Sequence, residues 1–156
     1  MSARPAIVLV QPRIPQNVGA VGRLCAVTRA ELHVVRPIPF EMSDSNMRRA
    51  GMDYLELLHW EIHSDWQACK EHFAGRRFWF LTSWGRHSVF GTSFRADDVL
   101  VFGSESAGLP DSIRAEFEGN DLKLPMREPR ARCLNLATSA AVTVYELLRQ
   151  VGELGG

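Results

Sequence analysis

Hydrophobic positions in this chain fall into two alternating rhythms. Short, largely apolar runs, Ile7 to Val10, Leu32 to Val35 with His33 inside it, Phe78 to Thr82, Val99 to Phe102 and Leu122 to Leu124 around Lys123, are bounded by proline, glycine or polar residues. Such runs predict strands, and Ile7 to Val10 reads as one buried on both faces. Between them the apolar residues recur at helical spacing. From about Gln16, NVGAVGRLCAVTRA carries Val18, Val21, Leu24, Cys25 and Thr28 along one helix face. SDSNMRRAG predicts a short helix with Ser43 or Asp44 as its cap and Gly51 at its end. Ser64 and Asp65 open DWQACKEHFA, which Gly75 closes, and DSIRAEFEG makes another short helix. Strands alternating with helices predict an α/β fold, a mainly parallel sheet with helices on both faces.

The last predicted helix, Leu134 to Val151, is apolar along two stripes. Leu134, Ala137, Ala141, Tyr145 and Leu148 form one, and Leu136, Ala140, Val144, Leu147 and Val151 the other. A helix apolar on two sides needs two covers. The sheet supplies one, and the other is a second copy of the chain or further core of its own domain.

Composition narrows the class. At 156 residues the chain fits one domain, and no apolar run is long enough to cross a bilayer as a helix. The five apolar residues after Pro5 are too few for a secretory signal and read as the first strand. Cys25, Cys69 and Cys133 are odd in number and widely spaced, which suits a reducing cytoplasm and argues against a zinc site built on cysteine. Eighteen basic residues balance eighteen acidic ones, so no global field draws nucleic acid. All the basic residues except Lys70 and Lys123 are arginines. Arginine grips phosphate through a bidentate fork, although codon bias gives the same enrichment.

Open α/β sheets bind ligands at the carboxyl ends of their strands. The two loops of interest here follow Phe102 and Leu124. The first holds Glu105 between Gly103 and Gly108; a functional acid and a simple surface turn acid are equal readings of it. The second, Pro125 to Cys133, carries Arg127, Arg130 and Arg132. N-V-G-A-V-G after the first strand has Asn17 where a dinucleotide fingerprint has its first glycine, so a nicotinamide site fits poorly. Arg23, near the middle of an apolar helix, must snorkel or meet an anion. The histidines at positions 33, 59, 63, 72 and 87 show no ligand spacing and receive no chemistry; no metal is expected. Trp84, leading into a loop with Gly85 and Arg86, is the one tryptophan placed to stack on a base.

Three motifs in order, I-P-Q-N-V-G-A-V-G-R-L-C-A, F-G-S-E-S-A-G-L-P and L-P-M followed by C-L-N-L, resemble those of the SPOUT superfamily of RNA 2′-O-methyltransferases. The resemblance runs from Ile7 to Gln150. The short chain and R-R-A-G-M-D-Y at Arg48 to Tyr54 are most similar to the branch acting on the tRNA wobble nucleotide. It implies one domain over residues 1–156, a C-terminal trefoil knot, a homodimer, a cytoplasmic tRNA substrate, no membrane, and S-adenosyl-L-methionine as cofactor. By position it assigns cofactor contacts to Leu81, Thr82, Gly103, Leu124, Met126, Cys133 and Leu134. It assigns the reaction to Arg23 with Asn17, Glu105 and Asn135, and RNA contacts to Arg48, Arg49, Arg127, Arg130 and Arg132. Another RNA, such as rRNA, or a non-catalytic RNA-binding role are the alternatives. Cys133 stands where the family usually has serine, and Ser104, Ser106 and Ala107 where relatives often carry proline, threonine and arginine.

Overall fold

Seven parallel strands form a single sheet in the order β3-β2-β1-β6-β4-β7-β5. The computed structural model describes residues 3–49 and 51–155; Ala50, inside the Arg48–Tyr54 motif, lies outside them, as do Met1, Ser2 and Gly156. In chain order the elements are β1 (Ala6–Val10), α1 (Pro15–Thr28), β2 (Glu31–Val35), α2 (Asp44–Arg49), β3 (Trp60–His63), α3 (Trp66–His72), β4 (Phe78–Leu81), β5 (His87–Ser88), β6 (Val99–Phe102), α4 (Asp111–Arg114), β7 (Asp121–Lys123) and α5 (Leu136–Gln150).

Both sheet faces are buried, because side chains alternate along each strand. In β1, Ile7 and Leu9 join the core under α1 and α5, while Ala6, Val8 and Val10 join the one holding Cys69 and Phe73 of the α3 region and Ile113 of α4. The expected helices on both faces are therefore present. At the amino end of β6, fully buried Asp98 accepts hydrogen bonds from Arg77 at 2.7 Å and from the Trp79 indole at 2.8 Å, so its charge is paired.

Two strands escaped the sequence reading. β3 follows a three-residue 3₁₀ turn at Leu55–Leu57, and its polar-apolar mix, Trp60-Glu61-Ile62-His63, hides it. β5 is two residues long and exists only by pairing with β7. Element boundaries also move. β7 ends at Lys123, and α5 starts at Leu136 because Asn135 caps it, its side chain accepting from the Ala137 and Thr138 N–H groups. Leu124 and Leu134 consequently lie in loops.

The absence of ligand spacing among the histidines does not carry over to three dimensions. β2 and β3 run in register with His33 opposite Glu61, and α3 lays His72 over the pair. His33, His63 and His72 stack or tilt against one another with ring centroids 5.1–5.2 Å apart. Burial holds the His33 and His63 rings below the usual histidine range. The hydrogen bond from His33 lowers Glu31 to about 2.

α5 buries its second stripe against the sheet through Ala140, Val144 and Leu147. On the other stripe Tyr145 remains 41% exposed, and Leu134, just before the helix, 44%. α1 packs alongside α5 and leaves Gln16, Ala20, Arg23 and Val27 outward as one stripe.

Candidate active site

The carboxyl ends of β4, β6 and β7 open into a cleft of about 840 Å³. Leu81 and Thr82 enter it from the end of β4, and Gly103 and Glu105 from the end of β6. Leu124 and Met126 come from beyond β7, with Cys133 and Leu134 from the approach to α5. All seven residues assigned to cofactor contact thus line one cavity, although the sequence spreads them over more than fifty positions. Trp84 and Arg132 line the same cleft, and Trp84 is 83% exposed.

Tight backbone crossings shape this cavity. A Cβ on Gly103 would lie 2.1 Å from the Gly108 carbonyl carbon and 2.3 Å from the Leu109 nitrogen, so only glycine lets the 103–109 loop fold back on itself. Backbone bonds between Ser104 and Gly108 close that loop. A Cβ on Gly85 would lie 2.2 Å from the carbonyl carbon of Leu122. The loop after β4 therefore crosses directly over β7. Arg86 secures the crossing: its backbone N–H and its guanidinium both donate to buried Asp121 at 3.0 Å.

Glu105 has a structural use that its sequence position did not reveal. Helix α1 begins with Pro15 at its first turn, and Ile14 at the cap position supplies no capping side chain. Instead the Glu105 carboxylate accepts the backbone N–H groups of Arg13 at 2.9 Å and Ile14 at 3.0 Å, and the Asn17 side-chain amide at 3.2 Å. It is a capping group delivered from ninety residues away, at the positive end of the helix. Burial alone would raise this carboxyl, but the bonds it accepts outweigh burial and hold it below the usual carboxylate range. The Asn17 carbonyl oxygen in turn accepts from the Asn135 amide at 3.2 Å. Glu105, Asn17 and Asn135 therefore form one chain of bonds tying the β6 loop to the starts of α1 and α5.

Arg23 stands apart from that chain and outside the cleft lining. Its guanidinium pairs with Asp53 at 3.2 Å and lies 4.7 Å over the Tyr54 ring, so it meets both an anion and an aromatic face. The Tyr54 hydroxyl donates to the Gly19 carbonyl, which fixes the ring against α1. Asp53 and Tyr54 carried no assignment in the sequence beyond their place in the Arg48–Tyr54 motif. Arg48 and Arg49 end α2 on the surface, Arg127 is exposed, and Arg130 pairs with Glu128. Only Arg132 among the five proposed RNA contacts reaches the cleft.

A family model described as the SpoU rRNA Methylase family matches residues 4–145. The tRNA (cytidine(34)-2′-O)-methyltransferase of Methylovorus glucosotrophus (strain SIP3-4) is 47% identical over 147 residues, covering 92% of this chain and 94% of that one. The protein of the same name from Burkholderia cenocepacia (strain HI2424) is 42% identical over 96% of this chain and 97% of its own. A solved structure described as giving structural insights into the 2-OH methylation of C/U34 on tRNA superposes with a TM-score of 0.88 at 38% identity. It covers 96% of this chain and 97% of that one. The fold also recurs in the SpoU methyltransferase AviRb from Streptomyces viridochromogenes, with a TM-score of 0.85 at 23% identity over 97% of this chain and 59% of that one.

Proposed function

The chain belongs to the SpoU rRNA Methylase family, and from that premise we propose that it methylates the ribose 2′-hydroxyl of a cytidine or uridine at tRNA wobble position 34, with S-adenosyl-L-methionine as donor. The observation that carries this reading is the convergence of the seven expected cofactor residues on one cleft, in a chain of which relatives named for that reaction match 92–96%.

The cleft suits an adenosyl group. Leu81, Leu124 and Leu134 give apolar surface for a flat ring, strand-end backbone groups give polar edges, and Gly103 keeps the approach free of a side chain. Cys133 offers only a weak donor where the family usually has serine. When bound, the cofactor supplies a methyl group on sulfonium, and the protein supplies position and charge. The 2′-hydroxyl must lose a proton as it attacks. A guanidinium has no basic lone pair to take that proton; Arg23 stabilises the developing alkoxide or holds the adjacent phosphate. Asp53 and Tyr54 aim its guanidinium, while Asn17, Glu105 and Asn135 are positioning residues that hold the loops around the cleft.

The active form in this reading is a cytoplasmic homodimer of single-domain protomers. Support comes from the uncovered face at Leu134 and Tyr145, and from Arg23 lying on the outward stripe of α1, where a second copy can bring it to a cleft. The crossing of Gly85 over Leu122, with β7 inserted between β4 and β5, supports a trefoil knot. Arg48, Arg49, Arg127, Arg130 and Arg132 serve as phosphate contacts, and Trp84 as a stacking surface for a base.

Incubating bulk tRNA and rRNA with labelled cofactor and mapping the modified nucleotide tests the proposal. Label at the wobble ribose is expected. Label in rRNA alone would move the substrate to the RNA in the family's own description. No label, despite binding of S-adenosylhomocysteine, would make the chain a non-catalytic RNA-binding relative.

A further inference from the structure

At the opposite edge of the sheet from β4 and β7, three histidines and two glutamates converge where β2, β3 and α3 meet. None of them contributes to the cleft. Ligand atoms of His33, Glu61 and His63 all lie within 4.8 Å of one another. From this geometry we infer a binding site for one divalent transition-metal ion of the zinc class, held by His33 Nδ1, His63 Nε2 and Glu61 Oε2.

Glu31 sets the tautomer of His33. Its Nε2 lies 3.1 Å from a Glu31 carboxylate oxygen, which can only accept, so Nε2 carries the proton. In the neutral ring Nδ1 then presents its lone pair. That lone pair faces His63 Nε2 at 2.9 Å and Glu61 Oε2 at 4.0 Å. A tetrahedral ion with bonds of about 2.0–2.1 Å sets its donor atoms roughly 3.3 Å apart. The two measured separations bracket that spacing, and small side-chain rotations equalise them. The ion replaces one shared proton: His63 moves its hydrogen from Nε2 to Nδ1, and both rings stay neutral.

The surroundings also match what a metal site needs. Glu31 accepting from the far nitrogen of a ligating histidine is the carboxylate–histidine–metal arrangement that fixes ring orientation and raises ligand basicity. Arg76 reaches the other Glu31 oxygen at 3.5 Å and holds the carboxylate in place. Phe73 walls the inner side, its ring edge-on to His33 at 4.6 Å. Glu61 and His72 are partly exposed, giving a path for entry. His72 Nε2, 3.6 Å from Glu61 Oε2, or a water completes the fourth position. Imidazole and carboxylate donors without thiolate suit zinc, cobalt or nickel rather than calcium or magnesium. Bound there, an ion staples β3, an edge strand with a single hydrogen-bonded neighbour, to β2.

The test uses the full chain, stripped with chelator and dialysed. Calorimetry with zinc is expected to give one ion per protomer, and cobalt to give the intense visible bands of a tetrahedral site. Glu61→Ala, at a partly exposed position, should abolish those bands, with far-UV circular dichroism and S-adenosylhomocysteine binding unchanged. Glu31→Gln should keep the bands but weaken binding about 10–100-fold. Zinc should raise the Tm of the wild type and not of Glu61→Ala. Absence of binding at millimolar zinc, or binding and bands that survive Glu61→Ala, would overturn the inference. In that case the cluster is a hydrogen-bonded core network, or the ion sits elsewhere.

Discussion

Replacing Glu105 by glutamine should destabilise the protein nearly as much as replacing it by alanine. The carboxylate accepts three hydrogen bonds, two from backbone N–H groups at the start of α1 and one from Asn17. All three partners are donors. An amide offers only one oxygen and turns its own NH₂ toward at least one of them, so glutamine trades a bond for a donor–donor conflict. With bonds to a charged group reduced by partial exposure to about 1 kcal/mol each, the loss is about 2–3 kcal/mol. For a chain of this size that lowers Tm by roughly 5–10 °C. The sign with pH follows from the direction of the shift. Because the folded pKa lies below the unfolded value of about 4.3, the stabilisation is fully present above that value and fades as pH falls through the folded pKa. Thermal melts of wild type, Glu105→Gln and Glu105→Ala at neutral pH and near pH 3 provide the assay. Glu105→Gln melting within about 1 °C of wild type at neutral pH, or a gap between them that widens as pH falls, would rule out the capping role.

Other expectations test the remaining parts of the site. Gly103→Ala pushes a methyl into backbone at 2.1 Å, which cannot move aside as a side chain would, so S-adenosylhomocysteine binding by calorimetry should weaken at least about tenfold; unchanged affinity would mean the 103–109 loop does not shape the pocket. Arg23→Ala should lower kcat by about 10²–10³ while Arg23→Lys keeps measurable activity. A lysine variant as inactive as the alanine variant, with normal tRNA binding, would refute a purely electrostatic role. Tyr145→Glu places a charge on the uncovered face of α5 and should convert a dimer to monomers by light scattering. A wild type that is already monomeric removes the second copy from the reading.

The local half of this fold was legible in the chain. β1, β4 and β6 are unbroken apolar runs, and β2 is apolar but for Glu31 and His33, because a parallel sheet covered on both faces needs apolar side chains on both. Asp65 and Gly75 mark the ends of the α3 region because a cap and a left-handed turn each require particular residues. The motifs around Leu81, Gly103 and Leu124 were legible for the same reason, since each sits at a strand end or directly after one. What the sequence could not disclose depends on partners distant along the chain. β5 is two residues that pair with β7, and no two-residue pattern announces a strand. The capping of α1 by Glu105, the clasp of Asn17 with Asn135, and Arg23 on Asp53 join residues up to 118 positions apart. The histidine corner shows the division most sharply. His33 and His63 are thirty residues apart with unremarkable neighbours, and only the register of β2 on β3 turns their two rings toward one point. Local periodicity records which face of an element is buried; which charges and rings then meet is decided by strand order and register, and those are properties of the assembled sheet.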